Sequence, residues 1–229
     1  MLPFLILFIS VFSGGLCFFL FNKSNNTVLK LSLSFSGAYL FGITITHLMP
    51  EVYKGDNPHI GIYILAGFLF QILLEFFSQG IEHGHIHVHK HHTQAFPFAM
   101  MLSLSIHAFF EGLPLADKEQ QHSLIMGIIM HHIPVAFALM SMLSQSGISR
   151  KGCLVALLLF AAMSPAGALT GIYLGDFLIT SWYEKIMAIV IGIFLHISTT
   201  ILFESDHDHR FNFFKLMIIL AGVGLSLLM

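Results

Sequence analysis

Charge is scarce in this chain. Of its 229 residues only 10% are Asp, Glu, Lys or Arg, while 56% are hydrophobic and mean hydropathy is +0.83. A soluble domain of this length has too little interior to hide so much apolar surface, so the composition specifies a polytopic membrane protein. Ten basic residues against twelve acidic ones give a net charge of −2 and a pI near 6.7, without the basic stripe that a nucleic-acid partner requires. Cysteine is nearly absent. Cys17 and Cys153 each lie in an apolar segment, which argues against a disulfide framework and against a thiolate metal site. There is no Walker motif and no room for a soluble domain, so ATP hydrolysis is not the driver. Histidine breaks the pattern: there are 15, more than Lys and Arg together.

A helix that crosses the hydrocarbon needs about 20 mainly apolar residues. That ruler predicts eight spans, at about 2–21, 31–50, 59–78, 97–116, 123–143, 153–174, 185–203 and 212–228. The expected class is an all-α integral membrane protein, one polytopic domain over 1–229. The first segment is long, lacks a basic start and shows no clear small-residue cleavage site, so it reads as a retained span in the lipid. The connections are short and polar, among them "NKSNN", "KGDN", "DKEQQHS" and "SQSGISRK". An even number of spans puts both termini on one side. With the N-terminus outside, Lys23, Lys30, Lys90, Arg150, Lys151, Arg210 and Lys215 fall in cytosolic segments, and Lys54, Lys118 and Lys185 in outer ones. Basic residues of short loops stay in the cytosol, so both termini are expected to be extracytoplasmic, in a plasma or inner membrane.

Ionisable groups inside hydrocarbon are costly unless they meet a partner or a water-filled path. Those within the spans are His47, Glu75, His107, Glu111, His131, His132 and His196, with Glu51 and Glu204 near membrane ends. Any one of them could simply bond a carbonyl or join two helices. As a set they suggest more. His107 and Glu111 are four residues apart and share a helix face. The loop to the next span is short, so the fourth and fifth spans should form an antiparallel hairpin. His107 lies nine residues from 116 and His131 eight from 123, which matches their depths. His107, Glu111 and His131 are therefore expected to converge near mid-membrane, as an imidazole and carboxylate set suited to zinc, iron(II) or manganese. His132 is turned about 100° from His131 and is expected to face away. Pro114, Pro134 and Pro165 each free a carbonyl one turn earlier, which serves a helix that lines a cavity, or else kinks it for packing.

Two further clusters stand in connections. "HGHIHVHKHH" brings His83, His85, His87, His89, His91 and His92 into the segment at about 79–95, and "DHDH" covers 206–209. Histidines so closely spaced can hold metal loosely but form no single rigid shell.

These motifs, in this order, resemble the ZIP (Zrt/Irt-like) divalent-metal transporters. "HLMPE" (47–51) is similar to that family's HLxPE ending of the second span, and "HAFFEG" (107–112) to its HxxxEG fourth-span signature. "HHIP" (131–134) resembles its HExP or HKxP fifth-span signature, and "GIFLHISTTILFE" (192–204) its GTFLYV seventh-span pattern. The resemblance implies two inverted three-helix repeats flanking spans four and five. It implies import of zinc, with iron, manganese and cadmium as further substrates, with no permanent cofactor and often as a homodimer. It also implies an elevator movement in which spans one, four, five and six carry the metal past the other four. Ala108, Val135 and Ser164 depart from the family where many members carry further ligands, so one ion is expected rather than two. His132 and His196 are candidate titrating groups. The rival reading is a membrane-embedded zinc hydrolase, with Glu111 as general base in place of ligand.

Overall fold

The structure is a computed structural model that describes residues 2–20, 26–55, 57–78, 80, 97–116, 121–177, 180–203 and 213–228. Among the described residues every regular element is helical. They are α1 (Leu2–Leu20), α2 (Asn26–Ile43), a π-helical turn (Thr44–Leu48) leading into α3 (Met49–Val52), and α4 (Ile60–Ser78). After these come α5 (Phe98–Gly112) with a 3-10 turn (Leu113–Ala116), α6 (Gln121–Gln145), α7 (Arg150–Phe177), α8 (Thr180–Phe203) and α9 (Phe213–Ser226). Among the described residues seven helices are long and apolar enough to cross a membrane, and α9 is a shorter apolar helix. At about 1.5 Å per residue, its 14 residues fall short of a 30 Å hydrocarbon core. In chain order, α1 to α4 and α7 to α9 bracket α5 and α6.

The second span is longer than its hydropathy suggests, and it is broken. Pro50 has no N–H and crowds the carbonyl one turn before it, which disfavours regular α-helical bonding at "THLMP". The wide turn accommodates this, with the Met49 N–H reaching back five residues to the Thr44 carbonyl. Thr44 and Thr46 hydroxyls each donate at 2.7 Å to the carbonyl four residues earlier.

The helices sort into two groups. In one, α1 packs along α6 and α7, and α5 along α7; in the other, α4 packs on α8, and α2 on α8 and α9. Glycines let backbones approach closely within each group. A Cβ on Gly167 of α7 would stand 2.0 Å from the Phe109 carbonyl oxygen of α5, and one on Gly192 of α8 would stand 2.0 Å from that of Ile64 on α4. Side chains fill the seam between the groups. Leu33, Ile193 and Ile197 from one meet Met100, Leu104 and Leu139 from the other in a single apolar cluster. Where α6 meets α2, Gly127 faces the Tyr39 ring and the Leu40 side chain.

Candidate metal centre

His107 and Glu111 project from one face of α5, one turn apart, with His107 Nε2 3.3 Å from Glu111 Oε1. His131 projects from α6 towards them, its ring centroid 6.1 Å from that of His107 and nearly perpendicular to it. All three are fully buried, and one ligand atom from each lies within 4.8 Å of the others. Ligand atoms of a four-coordinate ion with bonds of about 2.0–2.2 Å stand roughly 3.5 Å apart, so small side-chain rotations close this set on a cation. His107 is nine residues into α5 and His131 ten into α6, both well inside their spans.

His132 corrects the sequence reading. It does not face away: its Nε2 contacts Glu111 Oε2, and its Nδ1 lies 3.3 Å from Ser164 Oγ on α7. The 100° between neighbouring positions holds, but α6 faces α5 and α7 at once. His131 turns to His107, and His132 to the far oxygen of Glu111 beside Phe160. Ser164, which looked like a missing ligand, is the partner that holds this ring. Its own position follows from Gly112, whose absent Cβ would stand 2.1 Å from the Ser164 carbonyl oxygen. The glycine directly after Glu111 thus lets α7 reach the site.

The other sequence candidates lie elsewhere. His47 is in the π turn, its Nδ1 2.7 Å from Thr46 Oγ1, and Glu51 pairs with Lys54 Nζ at 2.6 Å near the end of the second span. His196 on α8 contacts Glu75 on α4 rather than the centre, a partnership that residues 121 apart in sequence could not announce. Glu204 and the run His83, His85, His87, His89, His91 and His92 lie outside the described residues. Ala108 and Val135 are fully buried in the apolar cluster beside the centre.

The family model of the ZIP zinc transporters matches residues 85–229, which include the whole centre. Zinc transporter ZIP9 of Xenopus tropicalis is 26% identical over 115 residues, covering 48% of this chain and 38% of its own. Zinc transporter ZIP9 of Micropogonias undulatus is 26% identical over 116 residues, covering 48% and 37%. These alignments span little more than a third of either relative's length. The family match covers more than half of the chain, and with an all-helical architecture and the motifs in family order, the chain belongs to the ZIP zinc transporter family.

Proposed function

We propose that this protein carries divalent metal ions, zinc foremost and also iron, manganese and cadmium, across the membrane towards the cytosol. The observation that carries this reading is the fully buried His107–Glu111–His131 group, three nitrogen and oxygen ligands gathered inside the spans. A carrier must hold its ion tightly enough to select it and loosely enough to release it. Three protein ligands with water at an open position suit that better than a closed four-ligand cage. The ion is substrate here and no permanent cofactor is involved. Ala108 and Val135 offer apolar side chains beside the centre, which supports one ion at a time in this position.

An elevator movement is the mechanism we favour. Glycine contacts bring backbones together within each helix group, whereas the seam between groups is mainly apolar side chains, crossed by the Ser103 hydroxyl bond to the Leu74 carbonyl that a sliding movement would have to break. The centre lies entirely on α5 and α6, with its supporting Ser164 on α7, so one group would carry it. Homodimers, a cytosolic location for the 79–95 loop and external termini complete the reading.

Radiotracer zinc uptake into proteoliposomes tests it. His107→Ala, Glu111→Ala and His131→Ala should each depress flux by more than the roughly 10–100-fold that loss of an outer partner costs a metal site, with insertion unchanged. Wild-type vesicles that accumulate no metal, or a ligand variant that keeps full flux, would show the reading to be wrong.

A further inference from the structure

A second pair of ionisable side chains lies inside the spans, apart from the His107–Glu111–His131 group. Glu75 is on α4, just short of its end at Ser78, and His196 is on α8, with His196 Nε2 2.8 Å from Glu75 Oε2. The ring is held from its other sides. Its Nδ1 is 3.1 Å from Thr200 Oγ1, and the Thr200 hydroxyl gives its hydrogen to the His196 carbonyl at 2.9 Å. That oxygen therefore accepts from Nδ1–H. Phe68 stacks on the ring at 5.0 Å between centroids. With Nδ1 carrying a hydrogen of its own, the 2.8 Å contact of Nε2 with Glu75 Oε2 needs one further hydrogen, which the two atoms share. Metal-binding imidazoles are held in this way, one nitrogen pinned as a donor by an outer partner and the other aimed at the ion.

The depth of the pair is set by a link between neighbouring helices. Ser103 Oγ on α5 donates to the Leu74 carbonyl on α4 at 2.5 Å, which puts these two residues level. His107 is one turn, about 6 Å, farther along α5. Glu75 therefore stands about a turn from the mid-membrane group, on the side where α4 ends and α5 begins. Gln71 is buried one turn earlier on the same face of α4.

We propose that Glu75 and His196 form a second divalent-cation site, a station on the group of helices that does not carry the first one. The site is defined by its own two ligands, so it goes beyond the transport reading and does not require it. On binding, the hydrogen shared between Nε2 and Oε2 leaves as a proton to water and the ion takes its place, with water completing the shell. Glu75 can make room, because its side chain is 27% exposed against 9% for His196. Two metal bonds of about 2 Å need only a modest swing of that carboxylate. A pair that merely ties α4 to α8 would take up no metal.

The test uses cobalt(II) with the full chain in nanodiscs, Cys17 and Cys153 replaced by alanine. In Glu75→Cys, a thiolate on the ion produces a near-ultraviolet charge-transfer band. The band is expected to titrate with cobalt, to persist when His107→Ala is added, and to need at least tenfold more cobalt when His196→Ala is added. His196→Cys with Glu75 intact is the mirror variant and should behave alike. In the unaltered chain, cadmium anomalous scattering should place a peak between Glu75 and His196. The proposal is overturned by the absence of a band in both cysteine variants at millimolar cobalt. It is equally overturned by a band indifferent to His196→Ala, by one abolished with His107→Ala, or by no peak at this pair in the unaltered chain.

Discussion

His132 shapes the candidate centre from beside the His107–Glu111–His131 group. Its Nε2 takes one oxygen of Glu111 and leaves the other near His107, while Ser164 fixes the ring from behind. A carboxylate held in this way presents one oxygen to an ion in a defined direction. His132→Phe keeps the volume and removes both contacts, so zinc affinity at the centre should fall by about 10–100-fold, the usual cost of losing an outer partner. Ser164→Ala should fall in the same direction by less, since Glu111 keeps its contact with His132. Isothermal titration of the purified protein checks both, and unchanged affinity in His132→Phe would remove His132 from the centre. The convergence of His107, Glu111 and His131 was legible beforehand, because HxxxE on one helix face and a histidine of matching depth on the next follow from helical spacing. The orientation of His132 was not. Periodicity gives the angle between His131 and His132, but not that α7 stands where the second ring points.

At the scale of helices, the hydrophobic runs announced the spans because each must satisfy its own backbone in lipid. Hydropathy says nothing of which helix packs on which. That information sits in small residues whose meaning emerges only when a neighbour is in place. Gly167 is one: any Cβ there would collide with the Phe109 carbonyl, two residues before Glu111, and a backbone oxygen cannot step aside as a flexible side chain can. Gly224 on α9 is its counterpart, with nothing within 4 Å of its added Cβ. Gly167→Ala should therefore cost about 1–3 kcal/mol through overpacking. Gly224→Ala should be neutral or slightly stabilising, as a helix interior prefers alanine. Thermal unfolding in one detergent compares them, and Gly167→Ala should also weaken zinc binding by moving α5. Equal melting temperatures would mean that α5 and α7 are not so closely joined. The π turn likewise had only Pro50 as its signal, and the widening of Thr44–Leu48 is one of several ways a helix can meet a proline.

For the whole molecule, the decisive question is whether the two helix groups move against each other. If α1, α5, α6 and α7 carry the ion past the rest, a covalent bond across the seam must stop transport, while one inside a group must not. Leu40 on α2 and Gly127 on α6 face each other across it, an added Cβ on Gly127 lying 2.9 Å from the Leu40 side chain that cysteine would replace. Gly37 on α2 and Ile201 on α8 belong to the same group, with an added Cβ on Gly37 3.0 Å from that of Ile201. In a background with Cys17 and Cys153 replaced by alanine, a reducible bis-methanethiosulfonate cross-linker can join the two cysteines of either pair. Closing Leu40→Cys with Gly127→Cys should abolish zinc flux, and reduction should restore it. Closing Gly37→Cys with Ile201→Cys should leave most of the flux intact, since those two helices travel together or not at all. Zinc binding at equilibrium should survive in both, because neither bond touches His107, Glu111 or His131. Undiminished flux with the cross-seam bond fully formed would mean that the ion crosses a fixed framework, and the sliding mechanism would have to be abandoned.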